Sequence, residues 1–130
     1  MKSIPVVKCK DMQESLQFYT AVLDFELVVA WPTTSHPTFC VIRKDETELR
    51  LSSHAGDDVS GNVVYFAVNN VRVLFEKFLS RGVNTMVKME SQVHESLIDQ
   101  SSEWRELYVT DPSGNTLRFG QDLYEGGYES

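Results

Sequence analysis

The chain has 130 residues, 42% hydrophobic and 24% charged, enough for one compact domain or two half-domains sharing a core. Its net charge of −7 comes from 19 acidic against 12 basic residues with no basic block, which argues against nucleic-acid binding. No run of about 18 apolar residues offers a membrane span. Met1-Lys2-Ser3-Ile4-Pro5 lacks the apolar stretch of a secretion signal, so a cytoplasmic location is expected.

Ile4 to Cys9 reads as a strand. Asp11 follows as a helix cap, with Glu14 three residues on as in a capping box. Leu16, Tyr19, Val22 and Leu23 recur at helical spacing and predict one apolar face. Phe25 to Trp31 predicts a second strand, broken by the stretch from Pro32 to Pro37. Thr38 to Arg43 and Thr47 to Ser52 predict two more strands around the turn Lys44-Asp45-Glu46. Cys9 and Cys40 lie in apolar runs without a Cys-x-x-Cys partner and are expected as buried, reduced thiols.

Residues 55 to 62 form a polar joint, after which the same pattern restarts, 59 positions beyond its first appearance. Val63 to Val68 is a strand, Asn70 a cap, and Leu74, Phe75, Phe78 and Leu79 a helical face ended by Gly82. Val83 to Met89 predicts a strand, and Glu90 to Glu103 a long polar loop, a candidate wall of a site. A hairpin of Glu106 to Thr110 and Thr116 to Gly120 closes the chain around Asp111-Pro112-Ser113-Gly114-Asn115. The expected organisation is a first module at 1–54, a joint at 55–62, a second module at 63–120 and a surface tail at 121–130. A half-length repeat of this kind points to two similar modules with a site between them.

Lys10-Asp11-Met12 through Phe18-Tyr19-Thr20-Ala21-Val22-Leu23-Asp24-Phe25, with Trp104 to Asn115 at the other end, resembles the vicinal oxygen chelate superfamily of glyoxalases, bleomycin-resistance proteins and dioxygenases. Asp24 stands where that superfamily usually has Gly. The resemblance implies an α+β fold of two βαβββ modules whose curved mixed sheets enclose a shared cleft, and a homodimer. Enzymes of the superfamily hold a divalent metal through His or Glu on the first and last strands of each module. In this chain the first-strand positions fall on Ile4 and Val63 and the second closing-strand position on Arg118; the first closing-strand position is Glu48, or Arg50 if the register shifts by one. Aliphatic side chains cannot bind a metal, and a guanidinium repels one. The histidines, His36, His54 and His94, form no ligand pair. No nucleophile elbow or phosphate-cradling loop is present.

No cofactor is therefore expected, the family's divalent metal included. The metal-free, bleomycin-resistance type is the resemblance that fits best. It implies a protein that sequesters a small aromatic or cationic compound without chemistry. Candidate ligand-binding residues are Trp31, His36, Phe39, Glu48, Tyr65, Trp104 and Arg118, with Trp104 the leading stacking surface. Glu48 and Arg118 have a second use, as an ion pair in the metal's place or, for Arg118, as a seat for an anionic group. For each aromatic, core packing competes with ligand contact. The alternative is a lyase, isomerase or dioxygenase of the glyoxalase type with an altered metal site.

Overall fold

The computed structural model describes residues 1–33, 36–54, 61–81, 98–101 and 104–122, apart from the side chains of 98–101 and 104. These residues form two units: Met1–Asn62 with Pro112–Asn115, and Val63–Asp111 with Thr116–Ser130. In the first, β1 (Val6–Lys8) leads to α1 (Met12–Gln17). Asp11 starts the helix because its carboxylate accepts from the Glu14 amide at 3.1 Å, satisfying a donor that has no partner inside the helix. The helix then widens into a π-helical turn over Phe18–Val22. Met12, Ser15, Phe18, Tyr19, Val22 and Leu23 are buried, while Leu16 of the expected face is only half-buried. Tyr19 is fully buried and meets Phe18 and Phe25 edge-on at 5.5 and 6.0 Å. Asp24 takes a φ of +63°, the conformation glycine adopts without steric cost.

β2 (Glu26–Trp31), β3 (Phe39–Lys44) and β4 (Thr47–Ser52) complete a sheet in the order β1-β4-β3-β2. β1 runs parallel to β4, and the other pairs are antiparallel. The β3–β4 turn is made by Asp45 and Glu46, with Asp45 at a φ of +53°. Strand alternation sends Val7, Cys40, Ile42, Leu49 and Leu51 into the core, and both cysteines are free and buried. Burial raises the Cys40 thiol above its ordinary pKa. The turn Pro112–Asn115 belongs to this unit. Gly114 takes the positive φ of +86° that the turn requires. The fully buried Asn115 accepts from the Asn62 amide at 3.0 Å and donates to the Lys8 carbonyl at 2.8 Å, and Ser113 accepts from the Lys10 amide at 2.8 Å.

The second unit repeats the plan. β5 (Val63–Ala67) is followed by α2 (Val71–Ser80), which Asn70 caps by accepting from the Val73 amide at 3.1 Å. β6 (Ile98–Ser101), β7 (Trp104–Thr110) and β8 (Thr116–Asp122) form a sheet in the order β5-β8-β7-β6, with β5 parallel to β8. Val64, Leu107, Val109, Leu117 and Phe119 make its buried face, and Phe78 of α2 meets Phe119 edge-on at 5.5 Å. Val71 and Phe78 carry the buried side of α2; Leu74 and Phe75 are half-buried and Leu79 is exposed.

Two expectations are corrected. Ile98–Ser101 is a strand inside the stretch expected to be loop, because backbone pairing with β7 needs no apolar alternation at a sheet edge. Gln121 and Asp122 continue β8 instead of opening a surface tail. Gln121 accepts from the Val71 amide at 2.9 Å, and Asp122 pairs with Trp104. The expected strand Val83–Met89, Gly82, residues 55–60 of the joint and residues 123–130 of the tail lie outside the described residues. The architecture is α+β, two βαβββ modules each with a mixed sheet. Among the described residues, no helix is long and apolar enough to cross a membrane.

Replacing Asn115 with Ala leaves a backbone amide and a backbone carbonyl without their partner, and should lower unfolding free energy by about 2 kcal/mol. Chemical denaturation checks this; an unchanged midpoint would show that water satisfies both groups.

Candidate functional site

Alternation along β8 divides its side chains: Leu117 and Phe119 join the buried face, while Thr116 and Arg118 point to the opposite side. Registry then puts Tyr65 of β5 on one flank of Arg118 and Tyr108 of β7 on the other. The guanidinium carbon lies 5.7 Å from the Tyr65 ring centre and 5.0 Å from that of Tyr108, within cation–π range of both. Its Nη2 donates to Glu106 Oε1 at 2.6 Å. The Tyr108 hydroxyl donates to the same oxygen at 3.3 Å. Glu106 is only 2% exposed, and Gly120 directly opposite it brings no side chain of its own. Such a bond between ions is shorter and stronger than a neutral one, and it raises the Arg118 pKa above its ordinary value.

The first sheet carries a related arrangement. Val6 pairs with Arg50 as Tyr65 pairs with Arg118, and Val6 and Tyr65 are counterparts in the repeat. The closing-strand counterpart of Arg118 is therefore Arg50, which resolves the register left open between Glu48 and Arg50. Glu48 lies two residues earlier on the same face. It accepts from Arg43 at 3.2 Å and from Arg50 at 3.2 and 3.1 Å. These bonds, Arg43's first, hold the Glu48 carboxyl below its ordinary range. Glu48 and Arg118 each have their ion-pair partner within their own unit.

The four positions onto which the resemblance carries the superfamily's metal ligands hold Ile4, Arg50, Val63 and Arg118. None offers a lone pair to a cation, so these residues do not fit a metal. Among the described residues, no group of three or more His, Cys, Asp or Glu is placed to hold one.

Of the residues singled out from sequence, Tyr65 and Arg118 are in contact, and Trp31 and Phe39 are cross-strand partners in the first sheet. Trp31 is 63% exposed, Phe39 is half-buried, and His36 is exposed between β2 and β3. Trp104 opens β7, and its side chain lies outside the described residues, as does His94. Glu106 and Tyr108 were not among the sequence candidates, and Arg50 entered only as the alternative to Glu48. The signal for the first two was their spacing of two around Leu107, which puts both on the face of Arg118 once the hairpin is paired.

The model of the family described as Glyoxalase/Bleomycin resistance protein/Dioxygenase superfamily matches residues 5–119. No curated protein matches the sequence. Among solved structures, a bleomycin resistance determinant encoded on the transposon Tn5 is 17% identical over 95% of this chain and 99% of its own, with a TM-score of 0.77. A bleomycin-binding protein complexed with bleomycin is also 17% identical, over 94% and 98%, with a TM-score of 0.75. The lactoylglutathione lyase of Agrobacterium tumefaciens is 16% identical over 92% of each chain, with a TM-score of 0.67. At these identities the likeness establishes the fold.

The lowered pKa of Glu48 fixes a sign. Its ionised form is favoured in the folded state, so its stabilisation is present above the unfolded pKa and is lost as pH falls through the lower folded value. Carbon-detected NMR titration should find the Glu48 carboxyl titrating below the ordinary glutamate range. A midpoint in the ordinary glutamate range would show that the two arginine contacts are not held in solution.

Proposed function

The chain belongs to the Glyoxalase/Bleomycin resistance protein/Dioxygenase superfamily, and from that membership we propose that it binds a small aromatic compound and sequesters it without a metal and without chemistry. The observation that carries this reading is the Arg118–Glu106 pair. A guanidinium stands where a metalloenzyme of the superfamily would present a carboxylate, and a buried carboxylate two positions from its cross-strand partner neutralises it. The repeat carries the same substitution at Arg50. Neither arginine offers a lone pair to a divalent ion, and the aliphatic side chains of Ile4 and Val63 supply none either.

Tyr65, 42% exposed beside Arg118, and Trp31 in the first sheet supply ring surface of the kind that stacks on flat ligands. The likeness to proteins described as a bleomycin resistance determinant and a bleomycin-binding protein makes a bleomycin-type antibiotic the first compound to try. A cytoplasmic homodimer belongs to the same reading. β2 is an edge strand that leaves Leu27, Val28, Val29 and Trp31 between 45% and 63% exposed, a surface suited to a second copy of the chain.

Metal analysis, sedimentation and bleomycin calorimetry on one purified sample test this together. We expect substoichiometric divalent metal, a dimer, and binding that is unchanged by chelator. Stoichiometric metal whose removal abolishes binding or turnover would instead favour a lyase, isomerase or dioxygenase.

A further inference from the structure

We propose that the ligand engages the second sheet through an anionic oxygen, a carboxylate carried on a planar ring system, received by the Arg118 guanidinium between Tyr65 and Tyr108. The inference rests on the reading of this face as ligand-binding and adds the chemical class of the group received there. A guanidinium has five N–H donors, and Glu106 takes one of them, on Nη2. Arg118 Nε is buried, and among the described residues it is the one buried side-chain nitrogen or oxygen without a hydrogen-bond partner. A buried donor in that state has lost its water and gained nothing in exchange, so an arriving acceptor gains more there than at a solvated donor.

Access to the group is from its outer end. The Arg118 side chain is 34% exposed, so the guanidinium tip is reachable although Nε is shielded. With Nη2 held by Glu106, a carboxylate arriving at that tip meets an edge of the fork and matches it with two oxygens. The exposed Tyr65 ring lies beside the guanidinium and offers a surface for the ring attached to that carboxylate. The net charge of −7 points to a cationic ligand, but the local chemistry reverses that sign. A cation arriving here meets a guanidinium, and the nearby Glu106 oxygen already accepts from both Arg118 and Tyr108.

Calorimetric titration of the full chain with naphthoate and with naphthylmethylammonium compares two compounds of like ring and opposite charge. Naphthoate should bind tighter by roughly tenfold or more. Arg118→Lys, which keeps the charge and loses the fork, should remove most of that preference. Tyr65→Ala, which leaves the ion pair intact, should weaken naphthoate by about threefold or more with an unchanged circular dichroism spectrum. If Arg118→Lys does not fold, the Arg118 Nε–H resonance of the unmutated protein decides, since naphthoate must shift it. Tighter or equal binding of the ammonium compound, no naphthoate binding at millimolar concentration, or full naphthoate affinity in Arg118→Lys would overturn the inference. Metal-independent bleomycin binding without a carboxylate preference would defeat this inference alone. A chelator-sensitive metal with the preference intact would defeat only the sequestration reading.

Discussion

A single charge-assisted hydrogen bond organises the polar face of the second module's sheet: Arg118 Nη2 to Glu106 Oε1, at 2.6 Å. Glu106 is 2% exposed, and a carboxylate so placed is tolerated only when a counter-charge and further donors stabilise it. Arg118 supplies the charge and Tyr108 a second hydrogen bond. The same contact fixes the guanidinium between two tyrosine rings, so one interaction satisfies the buried acid and orients the exposed cation.

The backbone makes this possible before any side chain is considered. β8 is central in its sheet, parallel to β5 and antiparallel to β7, so a residue at its midpoint has a neighbour on each side. Alternation gives those three residues one face while Leu117 and Phe119 pack into the core. The same topology in the first module places Arg50 beside Val6 and Val41, without flanking rings. Duplicated architecture has therefore kept the cation in both modules and the aromatic frame in one.

Much of this was legible in the sequence. Asp11 and Asn70 read as caps and act as caps, because a short side chain accepting from the third residue on is a local event. Gly114 and the turn around it were equally local. What sequence could not supply was register. Glu48 was favoured at the closing-strand position, and only the pairing of Val6 with Arg50 assigns that position to Arg50. Glu106 read as the start of a hairpin strand; its partnership with Arg118 spans twelve residues and depends on the pairing of β7 with β8. β6 was hidden because Ile98-Asp99-Gln100-Ser101 carries no apolar alternation.

A double-mutant cycle between Glu106→Gln and Arg118→Met, read by chemical denaturation, tests the organising interaction most directly. The account predicts that the two substitutions are coupled by about 1–3 kcal/mol, the range for residues sharing a buried polar contact. Strictly additive effects would mean that Glu106 and Arg118 stand apart in solution, and the orientation of the guanidinium would lose its physical basis.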